Sequence, residues 1–309
     1  SLVFKEVIGQ MGKDIESGSS LSECMAKHPK VFDKLYVNMV RAGEIGGVLE
    51  SVLNKIAQFQ EKRQALKSKV KSAMMYPVVV MVLATVIVGF ILIKIIPQFA
   101  EIFTQLGAEL PAPTMVLVHA SNIVVNYWYW VILAFILLFI IYKKINKTRS
   151  GKYMFDRMKL KAPAVGELVR KVAISRFADT LSTLINSGVP ILQALDIVRD
   201  TSGNEVIARA MEKVYTSVKD GETIHEPLSE EKVFPPLVVH MVAVGEETGA
   251  IDHMLQKVAE AYEREVDDTV NALTSILEPL LIVFLGVIIG MIVIALYLPY
   301  FMLPSIVGQ

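Results

Sequence analysis

The sequence VNMVRAGEIGG at residues 37–47 returns 202 residues later as VHMVAVGEETG at residues 239–249. Aligned without a gap, residues 30–62 and 232–264 share 14 identities in 33 positions. The same register pairs three further residues: Pro77 with Pro279, Pro97 with Pro299 and Phe99 with Phe301. An internal repeat of this length predicts two copies of one structural unit, so the fold is interpreted around it.

Each copy contains a Gly-Glu-x-x-Gly pattern, and these residues are the candidate functional positions: Gly43, Glu44 and Gly47 in the first copy, and Gly245, Glu246, Glu247 and Gly249 in the second. We expect Gly43 to end the preceding helix in the left-handed conformation that glycine tolerates. Two roles are open for the glutamates. In the structural role the carboxylate accepts hydrogen bonds from the first turn of the long helix that follows. In the functional role it contacts a partner protein or an ion.

Composition predicts that part of the chain lies in lipid. Hydrophobic residues make up 53% of the 309 positions, and only 20% are charged. A soluble protein of this size is usually more charged. The formal net charge is zero, so charge gives no reason to expect a nucleic-acid partner. The single cysteine, Cys24, excludes an intramolecular disulfide and a cysteine-based zinc site.

Three windows are long enough to cross a hydrocarbon layer of about 30 Å: residues 77–99, 123–142 and 278–298. Lysine and arginine flank the first window on its N-terminal side and the second on its C-terminal side, whereas residues 100–122 contain neither. The positive-inside rule therefore predicts that residues 1–76 and 143–277 are cytoplasmic. The loop at residues 100–122 and the C-terminal tail are then expected outside.

Hydrophobic spacing outside the three windows is helical, and no stretch shows a convincing strand pattern. The predicted class is therefore an all-α membrane protein with two homologous cytoplasmic helical-bundle lobes and three transmembrane helices. The expected domains are a first lobe at 1–71, span one at 77–99, a loop at 100–122, span two at 123–142, a second lobe at 143–275, span three at 278–298 and a tail at 299–309.

Each repeat is expected to contain a helical lobe, the Gly-Glu-x-x-Gly turn, a long helix and a membrane span ended by proline. A one-residue gap aligns Gly18 with Gly221 and Leu21 with Ile224. In that register the first lobe lacks a counterpart of residues 177–203. We expect the first lobe to be trimmed at its N-terminus.

The sequence contains no pattern that predicts catalysis, a cofactor or a metal. The five histidines have no metal-binding spacing, and no phosphate-binding glycine loop is present. Two glutamates without convergent ligands are weak support for a cation site. Gly286 and Gly290 form a small-x-x-x-small pattern in the third window, which predicts close helix packing there.

The combined pattern resembles the inner-membrane platform proteins of type IV pilus and type II secretion systems. Four segments carry the resemblance: residues 177–190 (FADTLSTLINSGVP), residues 245–249 (GEETG), Tyr76-Pro77, and residues 96–99 (IPQF). The loop LGAELP at residues 106–111 is similar to the pilus branch. The resemblance covers essentially the whole chain.

This resemblance implies a non-enzymatic platform in the bacterial inner membrane, with the loop at 100–122 and the tail periplasmic. The implied partners are a hexameric assembly ATPase on the cytoplasmic side, pilin or pseudopilin subunits, other inner-membrane assembly proteins, the lipid bilayer and further copies of the chain. The platform would couple the ATPase to pilin insertion or extraction. The equivalent secretion platform is the first alternative. A membrane transporter subunit is a more distant alternative. A transporter would be expected to have polar residues and broken helices within its spans, and the sequence shows neither.

Overall fold

The computed structural model describes residues 2–105, 111–163 and 165–307, and within them all regular structure is helical. The predicted all-α class is therefore confirmed. The helices are α1 (Leu2–Glu16), α2 (Leu21–Ala26), α3 (Lys34–Gly46), α4 (Leu49–Phe90), α5 (Ile96–Gln105), α6 (Ala112–Asn146), α7 (Arg149–Lys161), α8 (Val165–Asn186), α9 (Ile191–Thr201), α10 (Glu205–Lys219), α11 (His225–Glu230), α12 (Pro236–Thr248) and α13 (Ile251–Val307). A π-helical turn, Ile91–Ile95, joins α4 to α5.

The chain divides into two compact units. Unit 1 contains Ser1–Ser68 and Asn146–Val270, and unit 2 contains Lys69–Ile145 and Asn271–Gln309. Both predicted cytoplasmic segments therefore contribute to the same unit. Their description as two separate homologous lobes stays a prediction.

One hydrophobic core runs through unit 1 and draws on both segments. Its largest fully buried side chains come from α3, α8, α9 and α10: Leu35, Met39, Ile174, Phe177, Leu181, Leu184, Leu195, Ile197, Ile207 and Met211. Phe177 packs against Phe234 with ring centroids 5.0 Å apart. Aromatic pairs at this separation stabilise a core beyond the burial of their area.

Polar contacts also join the two segments of unit 1. Lys34 on α3 forms an ion pair of 2.5 Å with Asp200 on α9, and the amide of Gln193 donates to Asn38 at 2.7 Å. The lysine Nζ of Lys55 on α4 donates to the backbone carbonyl of Asn186 at 3.1 Å. These contacts are exposed, so each adds little stability by itself. They identify α3 and α4 as the elements of residues 1–68 that meet α8 and α9.

Two helices continue from unit 1 into unit 2. The long helix predicted after the first Gly-Glu-x-x-Gly turn is confirmed as α4, which has 42 residues although Pro77 lies within it. Helix α13 has 57 residues and contains the third predicted window. The register of the repeat therefore holds at the level of the long helices.

Two helical segments of the described chain are long and apolar enough to cross a membrane, Leu49–Gln105 and Ile251–Leu298. A third crossing results if the segments Ala112–Tyr127 and Ile132–Asn146, which meet at 69°, form one span. Within the two long segments, only 6% and 17% of the most apolar window is buried inside the chain. An apolar surface this extensive needs lipid or another protein to cover it.

The structure corrects two expectations for unit 2. Prolines 97 and 299 do not end their helices, since α5 runs to Gln105 and α13 runs to Val307. The predicted loop at 100–122 is also largely helical, because α6 already begins at Ala112. Residues 106–110, which carry most of the pilus-like loop motif, lie outside the described residues.

Candidate functional site: the repeated Gly-Glu-x-x-Gly turn

Glu44 lies in the last turn of α3 and its carboxylate reaches the start of α2. Its Oε1 accepts hydrogen bonds from the backbone N–H groups of Leu21 at 2.6 Å and Ser22 at 3.3 Å. The first N–H groups of a helix have no partner within the helix, and a carboxylate there also meets the positive end of the helix dipole. Glu44 therefore caps a helix that precedes it by more than twenty residues.

Ser20 supplies the remaining hydrogen bonds at this helix start. Its hydroxyl accepts from the N–H of Glu23, and the Glu23 side chain accepts from the N–H of Ser20, both at 3.2 Å. This is a reciprocal capping box. Together with Glu44, it gives every N–H from Ser20 to Glu23 an acceptor.

Glu246 repeats the contact in the second copy. Its Oε1 accepts from the N–H of Ile224 at 2.5 Å, and its Oε2 accepts from the N–H of His225 at 3.0 Å. The His225 ring Nδ1 lies 2.6 Å from the same Oε2. Ile224 and His225 align with Leu21 and Ser22 in the one-residue-gap register. Both glutamates thus cap equivalent short helices, α2 and α11.

The first glycine of each pattern allows the next long helix to approach closely. An added Cβ at Gly43 would lie 3.0 Å from Val52 Cγ2, and one at Gly245 would lie 2.8 Å from Ile251 Cα. Both glycines are buried within their helices. The expectation that Gly43 ends α3 in a left-handed conformation is wrong, because α3 continues to Gly46 and Gly43 serves the contact with α4.

The second glycine of each pattern ends the helix. Gly47 has φ = 67° and Gly249 has φ = 69°, both in the left-handed region. Beyond them, the N–H of Val48 donates to the Gly43 carbonyl and the N–H of Ala250 donates to the Gly245 carbonyl, each at 2.9 Å. These bonds form a Schellman motif, which reverses the chain directly into α4 or α13.

Each of the three fixed residues of Gly-Glu-x-x-Gly therefore has a geometric role. The first glycine allows close approach of the next helix, the glutamate caps a remote helix, and the second glycine ends the helix. The structural prediction was correct that the glutamates accept hydrogen bonds from backbone N–H groups at the start of a helix. It was wrong about the helix, because it named the long helix that follows the turn. The capped helices are α2 and α11, because the carboxylates point back into their own repeat.

Neither glutamate lies in an arrangement typical of a cation site. The described parts of the chain contain no group of three or more His, Cys, Asp or Glu side chains able to hold a metal. A cation at Glu44 or Glu246 would have to compete with the N–H donors that both carboxylates already bind. Glu247 is exposed next to Glu246 and remains available to a partner protein.

The glycines of the third window have a different environment. A Cβ at Gly286 or Gly290 would meet no heavy atom within 4 Å in the described chain. The predicted packing at these residues is therefore not made by the residues that the structure describes. It stays a prediction for a helix of another chain.

The contact between the His225 ring and Glu246 was not predicted from the sequence. The alignment of Leu21 with Ile224 already indicated that the starts of α2 and α11 are equivalent positions in the two repeats. Periodicity along a sequence does not show which helix start a carboxylate reaches after the chain folds.

Comparisons with known proteins cover the same repeat. The family model described as "Type II secretion system (T2SS), protein F" matches residues 1–97 and 177–299, which include both turns. The chain is 46% identical to a type IV pilus assembly protein PilC of Thermus thermophilus, over 96% of this chain and 73% of that protein. It is 42% identical to the protein of that name from Myxococcus xanthus, over 98% and 72%.

A relative from a secretion system is more distant. The chain is 30% identical to type II secretion system protein F of Aeromonas hydrophila, over 99% of this chain and 79% of that protein. The family match and these identities agree with the resemblance carried by the GEETG and FADTLSTLINSGVP segments. The chain therefore belongs to the protein F family of type II secretion and type IV pilus systems, with the pilus branch favoured.

Proposed function

We propose that this chain is a non-enzymatic platform that couples a cytoplasmic assembly ATPase to the insertion or extraction of pilins during type IV pilus biogenesis. Its family and its two long apolar helices make it an inner-membrane protein. The observation that carries the proposal is the path of α4 and α13, which each begin in unit 1 and continue into unit 2.

The long helices provide a direct mechanical link. Residues 49–68 of α4 and 251–270 of α13 belong to unit 1, and the residues that follow belong to unit 2. An α-helix resists bending because its backbone hydrogen bonds run along its axis. A force applied to unit 1 would therefore be transmitted along α4 and α13 to the apolar parts of these two helices.

Topology is part of this proposal. The lysine and arginine distribution favours a cytoplasmic unit 1 and three crossings, with residues 123–142 of α6 as the second span. Residues 1–68 and 146–270 share one hydrophobic core, which supports their placement on one side of the membrane. The 100–122 segment and the C-terminus would then be periplasmic.

The proposed partners follow from this topology. The ATPase would bind the two homologous lobes of unit 1, and pilins would contact the apolar surface of the spans. Residues with large exposed apolar side chains occur on all three predicted spans, such as Val82, Phe135 and Val283. Gly286 and Gly290, which have open space around them, are suited to a further copy of the chain or to a pilin helix.

A secretion platform is the second candidate, because the family model carries the name of protein F. The pilus branch is favoured by 46% and 42% identity to pilus assembly proteins against 30% to the secretion protein. The transporter alternative has no support from the family match.

Photocrosslinking in cells tests the coupling directly. A photoreactive residue replaces Ile45, which is 84% exposed, or Glu247. We expect either position to capture the assembly ATPase. The matched control is His119, an exposed residue of the proposed periplasmic side. Capture of the ATPase at neither unit 1 position, or equally at His119, would contradict the proposed coupling.

A further inference from the structure

Four repeat-related prolines lie inside helices of unit 2, and the second pair, Pro97 and Pro299, lies near α6. Pro97 follows the π-helical turn Ile91–Ile95 at the start of α5, and Pro299 lies within α13. Proline has no N–H, so it leaves one carbonyl of the preceding turn without its helical partner. Where neighbouring helices shield this carbonyl from water, it needs another donor.

Leu92 carries the carbonyl freed by Pro97. The N–H of Ile96 donates to Ile91, five residues back, so the Leu92 carbonyl does not receive the N–H of Ile96. The next bond in the π-helical register would require an N–H at Pro97. The Ser121 hydroxyl of α6 donates to the Leu92 carbonyl at 2.5 Å.

Ala295 carries the carbonyl freed by Pro299. In an α-helix the N–H of residue 299 would donate to this carbonyl, four residues back. The Thr114 hydroxyl of α6 donates to it instead, at 2.6 Å. Thr114 and Ala295 are 0% and 1% exposed, so this contact is closed off from its surroundings.

The two hydroxyls belong to one face of α6. Ser121 and Thr114 are seven residues apart, which is close to two helical turns. Two other hydroxyls of unit 2 bind their own helix: Thr85 donates to the Met81 carbonyl and Thr104 donates to the Ala100 carbonyl. Ser121 and Thr114 differ because each reaches a different helix, at the carbonyl that a proline has freed.

We propose that Ser121 and Thr114 are positioning residues that attach one face of α6 to both repeat-related helices. The prolines create the acceptors and the hydroxyls occupy them, so α6 bridges the two repeats within unit 2. This explains why Pro97 and Pro299 recur in register without ending their helices. It also assigns a role to α6, which lies between the two copies of the repeat.

A double-mutant cycle tests this pairing in the full chain, by reversible denaturation in detergent. An interhelical hydrogen bond in a membrane protein corresponds to about a threefold change in the ratio of unfolded to folded chain. We expect Ser121→Ala and Thr114→Val each to raise that ratio about threefold. In a Pro97→Ala background, residue 97 regains an N–H, so Ser121→Ala should lose its effect.

The second pair provides the cross-control. Thr114→Val should lose its effect in a Pro299→Ala background, whereas Ser121→Ala should keep its full effect there. Ser121→Thr, which retains the hydroxyl, should match the unaltered chain, as should Thr85→Val. If Ser121→Ala has no effect, or has the same effect with and without Pro97, the pairing at Pro97 is refuted. If either proline variant fails to fold, the other pair decides the proposal.

Discussion

The carboxylate of Glu246 lies 2.5 Å from the backbone nitrogen of Ile224, and the first copy of the repeat places Glu44 2.6 Å from the backbone nitrogen of Leu21. Glu246 lies 22 residues after Ile224, and Glu44 lies 23 residues after Leu21. Each hydrogen bond therefore joins the two ends of a short helical segment. The turn that leads into each long helix is thereby fastened to the short helix that precedes it, α2 or α11. The repeated sequence preserves this connection between a short helix and a long one.

Replacing either glutamate with alanine should destabilise unit 1. Glu44→Ala and Glu246→Ala each leave two N–H groups at a helix start without an acceptor, which costs about 1–2 kcal/mol. Glutamine retains one oxygen acceptor, so Glu246→Gln should lose less. Denaturation of the full chain in detergent measures the free energy of unfolding. Glu247→Ala is the matched control, and a loss as large as that of Glu246→Ala would contradict the capping role.

The first glycine of the second copy should tolerate alanine less well than that of the first. A Cβ at Gly245 would lie 2.8 Å from the Ile251 backbone, whereas at Gly43 the nearest atom is a Val52 methyl group at 3.0 Å. We expect Gly245→Ala to cost about 1–3 kcal/mol, as overpacking does, and Gly43→Ala to cost less.

Gly12 is the control for this comparison. It lies in α1 and has no atom within 4 Å of an added Cβ. Gly12→Ala should stabilise the chain by about 0.5–1 kcal/mol, because alanine favours the helix. An equal cost for Gly245→Ala and Gly12→Ala would show that close approach to α13 is not what glycine provides.

The second glycine should respond to backbone conformation alone. Gly249 has φ = 69° and open space around its Cβ position. Gly249→Ala should therefore cost about 1 kcal/mol through left-handed strain, and Gly249→Asn should cost less because asparagine tolerates this region. Thermal unfolding of the three proteins, at equal detergent concentration, gives the order. Equal unfolding temperatures for alanine and asparagine would contradict it.

Asp179 on α8 should make stability depend on pH. Burial raises the pKa of the Asp179 carboxyl, the Lys62 ammonium lowers it, and Glu263 raises it, with a net rise. The folded chain then binds more protons than the unfolded chain between the two pKa values, so stability falls as pH rises through that window.

Asp179→Asn removes this ionisation. The variant should unfold at a higher temperature than the unaltered chain at neutral pH, and the difference should shrink as pH falls from the raised pKa of the folded chain towards the ordinary aspartate pKa of about 3.9, below which it should be lost. Unfolding curves at several pH values provide the measurement. A difference that stays constant with pH would show that the ionisation of Asp179 is unimportant for stability.

Local structure in unit 1 was largely predictable from the sequence. Helix α8 ends at Asn186, where the Asn186-Ser187-Gly188 sequence favours a helix end, and of the two hydroxyl residues that could cap α2, Ser20 and Ser22, the structure uses Ser20. The long path of α4 through the basic stretch was predictable because nothing between residues 48 and 76 interrupts a helix. These features depend on near neighbours, which a sequence shows directly.

Features that depend on distant neighbours were less accessible. Gly43 was expected to turn the chain, yet its role is to admit Val52 and Leu49 of the next helix. The helix reached by Glu44 depends on how α2 folds back on α3, which spacing alone does not specify. The alignment of Leu21 with Ile224 shows that the two positions are equivalent, but it does not show that a glutamate contacts either of them.

The prolines show the same limit in unit 2. Pro97 ordinarily indicates the end of a helix, because it removes a hydrogen bond and crowds the preceding turn. Here the π-helical turn at Ile91–Ile95 and the Ser121 hydroxyl accommodate it. Because of these two adjustments, the helix continues where its end was expected. Neither can be inferred from the proline alone, since one depends on the preceding turn and the other on a residue of α6.

Deletion of the gene tests whether this chain is a platform for type IV pilus assembly. Surface pili are counted by electron microscopy in the deletion strain and after restoring the intact gene, with secreted enzymes assayed in parallel. We expect pili to disappear on deletion and to return with the gene, while enzyme secretion is unchanged. Normal pili in the deletion strain would contradict a role in pilus assembly, and loss of enzyme secretion alone would support the secretion platform instead.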